Sequence, residues 1–385
     1  MLTNILQDRV SKVHKHLFLF SKTFIALAFS VFVFCAAGCE ETYQNTEDTG
    51  AVDPTEPTEA TVDPTEPTEP ADPAEPTVEP AEPTESTEPA EPTDPAEPAE
   101  PEDPCLAPDA EKIDSVVIGT YNTHLFFDKN CDSGYCSSSD FESVPGDSEY
   151  NDKVADLAGS VKKIGADIIL LQEVEKESCL KDLFEKSGVY DEFFLGEKGS
   201  PSSVDTGVMT KGEITYKNKH TESIECAGCD GGKTTFSRAF LETHIKLGCR
   251  EIIVFSAHFK SKADDDAPRR LAEAAAAVKI LKKTAEKYPD ALIVMGGDLN
   301  DEPGSDTLEP FESESTFLRV ADELSSKDQA TYSYRGDAIA IDHVFWVKSS
   351  LGSYKQGSAE VVKDAPTWYS LGSSDHAALK ATFEF

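Results

Sequence analysis

Short apolar runs recur along residues 113–385 and predict the strands of a buried sheet. The runs at 116–121, 166–171, 251–257 and 291–295 are rich in Val, Ile and Leu and lack polar alternation. That pattern is typical of strands that are covered on both faces. Further strands are predicted at 238–246, 338–346 and 377–385.

Two stretches between these runs have the spacing of amphipathic helices. One covers residues 152–164 and is ended by Gly165, with the inward positions Val154, Leu157, Val161 and Ile164. The other covers residues 269–287 after Pro268, with the inward positions Leu271, Ala275, Val278 and Leu281. Strands that alternate with helices predict an α/β domain.

Polar side chains suited to metal binding or proton transfer occur where several predicted strands begin or end. They are Asn122, Gln172-Glu173, His258, Asp298, Asn300, Asp342 and Asp375-His376. Each also has a structural interpretation, because Asn and Asp favour turns and a lone His is often a core residue. Strand ends on one sheet edge converge in space, and sites on α/β scaffolds form there. Their recurrence therefore predicts a shared site.

The first 39 residues resemble an export signal. Four basic residues and one acid precede an apolar run at 23–35, which is too short for a comfortable membrane span. The small residues directly before Cys39 resemble a bacterial lipobox, which implies lipidation of Cys39. Glu40 rather than Asp follows it, which favours the outer membrane by analogy with lipoprotein sorting. The alternatives are a plain cleaved signal and an uncleaved anchor.

Residues 40–104 are a Pro-, Glu- and Thr-rich repeat that is predicted to be a disordered tether. They contain 22 acidic residues, no Lys or Arg and almost no large apolar side chain, so they cannot build a packed core. Of the formal charge of −37, residues 105–385 carry −18. This second part is predicted to be one acidic globular domain, without the basic surface of a protein that holds nucleic acid by charge alone.

Seven cysteines remain after Cys35 and Cys39, and export permits disulfides. Cys131 with Cys136, and Cys226 with Cys229, are close enough in sequence to be local loop disulfides. A zinc site is the alternative, since paired cysteines also bind zinc. Because seven is odd, one thiol is expected to stay unpaired.

The motifs occur in an order that resembles the endonuclease/exonuclease/phosphatase superfamily across most of residues 113–385. The matching pieces are Tyr121-Asn122-Thr123, Leu171-Gln172-Glu173-Val174, Asp205-Thr206-Gly207-Val208, Ser256-Ala257-His258-Phe259-Lys260-Ser261, Gly297-Asp298-Leu299-Asn300-Asp301-Glu302-Pro303, Ile341-Asp342-His343 and Ser374-Asp375-His376. The resemblance implies a four-layer α/β sandwich, in which helices flank two packed, mainly antiparallel sheets.

The resemblance also implies how metal and phosphate are bound. Glu173 is similar to the principal magnesium carboxylate of the superfamily, and Asn122 and Asp375 are placed near the same ion. Mg²⁺ is the expected cofactor, with Mn²⁺ or Ca²⁺ as a substitute or structural ion. Arg238 and Asn300 are expected to contact the substrate phosphate.

Acid–base roles follow from the same resemblance. Asp298 and Asn300 match the pair that positions the attacking water, while His376 matches the histidine beside the scissile phosphate and Asp342 its orienting carboxylate. His258 matches the second histidine of the deoxyribonuclease, sphingomyelinase and inositol-phosphatase branches. The sequence leaves open which histidine is the acid and which the base.

Three functions remain in competition. The first is an extracytoplasmic nuclease that acts on DNA or RNA and faces the periplasm or the cell exterior, since residues 258–262 resemble a stretch of secreted bacterial nucleases. The second is a phosphatase or phospholipase C-like hydrolase, and the third is an inactive binding module. A monomer is expected, whose partners are its phosphodiester substrate and, through the lipid anchor, a membrane. Residues 127–151 form a Cys-, Ser- and acid-rich insertion without a counterpart in the nucleases of this superfamily.

Overall fold

A computed structural model describes residues 104–199, 203–264 and 266–385. The predicted export signal and all but the last residue of the predicted tether lie outside these residues. Strands are numbered β1–β17 and α-helices α1–α4 in chain order. Within the described residues, no helix has the length and apolar character needed to cross a membrane.

The first sheet places β1 (Ser115–Phe126) and β2 (Ile168–Val174) side by side and parallel, and its other pairs are antiparallel. Its spatial order is β15 (Ser353–Tyr354), β17 (Ala378–Glu384), β1 (Ser115–Phe126), β2 (Ile168–Val174), β4 (Asp205–Thr210) and β3 (Glu192–Leu195), with β16 (Glu360–Val362) also paired to β17.

The second sheet has the same plan, because β9 and β10 form a central parallel pair among antiparallel neighbours. Its spatial order is β11 (Phe317–Arg319), β14 (Asp342–Val347), β10 (Leu292–Asp298), β9 (Arg250–His258), β8 (Phe240–Leu247) and β5 (Glu213–His220). Parallel strands end at the same sheet edge, so each sheet presents two strand ends together.

The described residues also form two small hairpins and four α-helices. The hairpins pair β6 (Ser223–Glu225) with β7 (Lys233–Thr235) and β12 (Tyr332–Tyr334) with β13 (Asp337–Ile339). The helices are α1 (Asp147–Ile164), α2 (Glu177–Ser187), α3 (Ala267–Lys287) and α4 (Glu309–Glu312).

Side chains of the central strands alternate between two apolar layers. Along β2, Leu170 faces the layer between the two sheets, whereas Ile169 and Leu171 pack in the cluster that contains α1 and α2. Along β10, Val294 faces the same central layer, and Met295 packs in the cluster that contains α3. Because successive side chains point to opposite faces, a strand with both faces covered must be apolar throughout. The predicted four-layer α/β sandwich is therefore confirmed.

The predicted elements occur, with longer or shifted bounds. Helix α1 begins at Asp147 instead of residue 152, and Gly165 ends it in a left-handed conformation with φ 67°. The predicted strand at 338–346 divides into β13 and β14. The prediction that Leu271 lies inward on α3 is wrong, since its side chain is 40% exposed, whereas Leu281 on the same helix is fully buried.

We expect Leu281→Ala to lower the free energy of unfolding by about 2–5 kcal/mol, because it removes a buried side chain and leaves a cavity. Leu271→Ala is the matched control on the same helix, and its expected change is within about 0.5 kcal/mol. Urea denaturation of both variants measures the difference. Equal losses would contradict the burial assigned to these two positions.

Three disulfides are present among the described cysteines. Cys131–Cys136 and Cys226–Cys229 are the two predicted local bridges, so the zinc alternative does not hold for these pairs. Cys105–Cys249 joins residues 144 positions apart and ties the start of the domain to the turn between β8 and β9. Cys179 is free and buried, as the odd count predicts for one thiol.

Candidate active site

The side-chain amide of Asn122 on β1 contacts two carboxylates from different sheets. Glu173 is on β2 and Asp298 is on β10. Asn122 Nδ2 donates to Glu173 Oε1 at 3.1 Å and to Asp298 Oδ2 at 3.0 Å. The backbone N–H of Leu125 donates to Glu173 Oε2 at 2.7 Å. Asn122 therefore holds together a pair of acids that would otherwise repel each other.

The backbone at two of the site residues adopts a conformation that non-glycine residues seldom use. Glu173 has φ 62° and Asn300 has φ 54°. Asn tolerates this left-handed region, but Glu has no such preference, and the strain of such a residue is of order 1–3 kcal/mol. The fold therefore holds Glu173 in a strained backbone conformation while its carboxylate meets Asn122.

In the second sheet, the pairing of the strands places Asp298 between two other site residues. Asp298 on β10 is paired with His258 on β9 and with Asp342 on β14. Gly297 permits the close approach of β9, since a Cβ there would lie 1.9 Å from the carbonyl oxygen of Ala257. Burial and the nearby Asp342 raise the pKa of Asp298 to about 7.

His258 faces both carboxylates across a gap. Its Nε2 lies 3.9 Å from Glu173 Oε1 and 3.8 Å from Asp298 Oδ2, which is too long for hydrogen bonds. The ring is almost fully buried and its Nδ1 has no hydrogen-bond partner. Burial, with Arg238 and His376 nearby, holds the pKa of His258 well below its usual value, so the ring is neutral at neutral pH.

His376 is oriented by Asp342. The distance from His376 Nδ1 to Asp342 Oδ2 is 2.8 Å, and His376 Nε2 lies 3.9 Å from Asp298 Oδ2. Burial disfavours the charged ring, but Asp342 outweighs it and raises the pKa of His376 to about 10. The two site histidines are therefore in opposite charge states at neutral pH.

Asp375 lies at the exposed rim of the site, not among the inner carboxylates. Its Oδ1 lies 2.7 Å from His124 Nδ1, and its side chain is 41% exposed. Ser374 Oγ donates to the carbonyl of Asn122 at 2.7 Å and accepts from the backbone N–H of His376 at 3.0 Å. The predicted Ser374-Asp375-His376 motif thus ties the end of β1 to the start of β17.

Asn300 and Arg238 contact other residues of the chain, and their role in binding phosphate stays a prediction. Asn300 donates its backbone N–H to Asp298 Oδ1 at 2.8 Å and its Nδ2 to the carbonyl of Phe259 at 3.1 Å. The predicted strand began at Arg238, but β8 begins at Phe240, so Arg238 precedes the strand. Its Nε donates to the carbonyl of Val204 at 3.3 Å. Asn300 therefore supports Asp298, while Arg238 is close enough to influence His258.

Three residues at the site have no motif that could identify them from sequence. His124 pairs with Asp375, and Lys153 of α1 donates to the carbonyls of His124 and Ser373, both at 2.8 Å. Burial lowers the pKa of Lys153 to about 8. Tyr332 of the β12–β13 hairpin places its ring centroid 4.7 Å from that of His376.

The inner residues fit a hard divalent cation. Ligand atoms of Glu173, His258 and Asp298 lie within 4.8 Å of one another. Among the described residues, neither carboxylate has a Lys or Arg ion-pair partner, and Mg²⁺ is commonly held by one or two carboxylates. Asn122 turns its Nδ2 toward the carboxylates, so in this arrangement it positions them and offers no oxygen.

Comparisons with known proteins identify the family of this chain. A model of the endonuclease/exonuclease/phosphatase family matches residues 117–370. The mannosyl-6-phosphatase Bt3783 of Bacteroides thetaiotaomicron is similar in structure, with 16% identity, a TM-score of 0.50, and coverage of 70% of this chain and 100% of that chain. TDP2 of Caenorhabditis elegans has 15% identity, a TM-score of 0.49, and coverage of 70% and 74%.

At such identities the structural likeness shows the fold alone. A sequence comparison with curated proteins gives no match. The family model, in contrast, spans well over half of the chain, and the site described above lies within it except for the segment that holds Ser374, Asp375 and His376. The chain therefore belongs to the endonuclease/exonuclease/phosphatase family, whose members are divalent-metal-dependent phosphoester hydrolases.

Proposed function

We propose that this chain hydrolyses phosphodiester bonds with Mg²⁺ as its cofactor, and that nucleic acid is the first substrate class to test. The observation that carries the proposal is the meeting of Glu173, Asp298 and two histidines of opposite charge at one edge of both sheets. Two carboxylates can hold a cation, and two histidines can divide proton transfer. An inactive binding module would have no need of all four groups.

Glu173 and Asp298 are the side chains that would hold the ion. When bound, Mg²⁺ supplies positive charge that neutralises the phosphate oxygens. His258, neutral and 3.8 Å from Asp298 Oδ2, is suited to accept the proton of the attacking water. His376, protonated and oriented by Asp342, is suited to donate a proton to the leaving alkoxide.

A smaller phosphate ester is the second candidate substrate, and the charge of the domain favours it. Residues 105–385 carry a formal charge of −18, which repels a long polyanion. Lys262, in the stretch that resembles secreted nucleases, has its Nζ 2.6 Å from Asp301 Oδ1, so its charge is already paired within the domain. One of the similar structures is a mannosyl-6-phosphatase.

A substrate panel tests the proposal. We expect the purified chain to cleave a phosphodiester with Mg²⁺ and to lose activity in excess chelator. Plasmid DNA, RNA, sphingomyelin, bis-p-nitrophenyl phosphate and p-nitrophenyl phosphate are compared at two salt concentrations. Salt-sensitive cleavage of DNA or RNA supports the nuclease. Hydrolysis of the monoester alone would indicate a phosphatase in place of a nuclease. Failure to hydrolyse any diester would contradict the proposal.

We also propose that the domain is an exported lipoprotein anchored through Cys39. Three disulfides in the described residues support an oxidising compartment. We expect Cys39→Ala to move the protein out of the detergent phase, because the variant has no thiol to carry a lipid. Cys179→Ala is the control, since that thiol is buried within the domain. Unchanged partitioning of Cys39→Ala would contradict the anchor.

A further inference from the structure

A second carboxylate cluster lies in the insertion that follows β1. Carboxylate oxygens of Asp128, Asp132 and Glu175 lie within 4.8 Å of one another. None of the three belongs to the residue set that forms the active site. Asp128 and Asp132 come from the insertion, whereas Glu175 directly follows β2. The cluster thus joins the insertion to the strand that carries Glu173.

Glu175 has an unsatisfied oxygen in this cluster. The residue is only 2% exposed, so its carboxylate is shielded from bulk water. Its Oε2 accepts a hydrogen bond from the backbone N–H of Asp128 at 2.6 Å, but its Oε1 has no partner. A buried carboxylate oxygen without a donor is costly, and a cation would satisfy it.

The insertion has the residue spacing of a calcium loop. Asp128, Asn130 and Asp132 alternate along the chain, as do the first three oxygen ligands of the twelve-residue calcium loop of helix–loop–helix proteins. The Cys131–Cys136 disulfide closes this loop. Glu142 fixes it from the other side, since its two oxygens accept the backbone N–H groups of Asp132 and Ser133 at 2.6 and 2.7 Å.

Lys176 occupies the cluster in this structure. Its Nζ lies 2.8 Å from Asp128 Oδ2 and is also hydrogen-bonded to Asp132. This ammonium group pairs with two of the three carboxylates, and Glu175 Oε1 is left without a donor. The lysine side chain is 25% exposed and flexible, so it can turn toward solvent when a stronger cation arrives.

We propose that Asp128, Asp132 and Glu175 bind a calcium ion that is separate from the active-site cation. Calcium accepts six to eight oxygen ligands in irregular geometry, whereas Mg²⁺ is seldom held in a dedicated cage of protein carboxylates. The bound ion displaces Lys176 and fastens the insertion to the end of β2. Its role is to hold the residues that follow Glu173, and it takes no part in the proposed hydrolysis.

Calcium binding by the full chain tests this site. Glu173→Gln is used as the background, because it removes the carboxylate of the active-site ion. We expect calorimetry to show saturable Ca²⁺ binding and the melting temperature to rise with Ca²⁺. Asp132→Asn in the same background should weaken binding about tenfold or more, because ligand charge sets the affinity of such sites. Lys176→Met should strengthen binding, since the competing ammonium is lost.

Asp140→Asn is the matched control, because Asp140 lies in the same insertion and pairs with Ser137 outside the cluster. It should bind Ca²⁺ as the background does. Glu175→Gln provides a second test at the buried ligand. If Glu175→Gln misfolds, Asp132→Asn still tests the site. The absence of saturable Ca²⁺ binding in the Glu173→Gln chain would overturn the proposal. Equal affinity in the background and in Asp132→Asn would do the same.

Discussion

Glu173→Gln is expected to lower turnover by about 10³-fold or more and to raise the Mg²⁺ concentration needed for half-maximal activity. The amide keeps the shape of the side chain and can still accept from the N–H of Leu125. It lacks the negative charge that attracts a hard cation. Turnover measured over a range of Mg²⁺ concentrations checks both parts of the expectation.

Glu185→Gln is the control for this experiment. Glu185 lies on α2, is 61% exposed and, among the described residues, pairs with Lys181 one turn earlier, so the loss of its charge should leave turnover unchanged. Equal melting temperatures of the two variants would exclude unfolding as the cause. Full activity of the wild-type chain in excess chelator would reject the metal-dependent mechanism.

His376→Ala and His258→Ala are each expected to lower single-turnover rates by about 10²–10⁴, the usual effect of a positioned proton-transfer group. Their combined loss should be smaller than the product of the single losses, because both act in one step. Asp342→Asn should give part of the His376→Ala defect, since the 2.8 Å contact that orients the ring and keeps it charged is weakened.

His220→Ala is the matched control for the histidine experiments. His220 also pairs with a carboxylate, at 2.7 Å from Glu242, but it lies on β5, outside the site. If His258 is only a buried packing residue, His258→Ala will lower the melting temperature without a specific rate defect. A folded His376→Ala protein with near-normal turnover would mean that the active site lies elsewhere.

The apolar pattern was sufficient to predict an α/β domain with buried strands, because strands with two buried faces must be apolar at nearly every position. The four-layer sandwich was implied by the family resemblance. The apolar runs of β2, β9 and β10 could be identified as strands without knowing which strands they pair with. Gly165 ended α1 as predicted. Leu271 shows the limit of this reasoning. Helical spacing placed it inward, but the packing of α3 on the second sheet buries a neighbouring face of the helix and leaves Leu271 exposed.

The order of motifs likewise indicated which side chains share a site, but not how they are held. The sequence named Asn122, Glu173, His258, Asp298 and His376 as members of one site, because strand ends converge. Only the pairing of the two sheets decided that Asn122 joins Glu173 to Asp298 and that the two histidines differ in charge. Those properties depend on burial and on neighbours that lie far apart in the sequence.

The sequence by itself thus determined the buried strands, the close cysteine pairs and the residue types of the site. Tertiary structure alone decided the left-handed backbone of Glu173, the long-range Cys105–Cys249 bridge and the presence of Lys153 and Tyr332 beside the site. The physical reason is that periodicity and turn chemistry act over a few residues. Electrostatics and close packing instead act between groups that only the folded chain brings within a few ångströms.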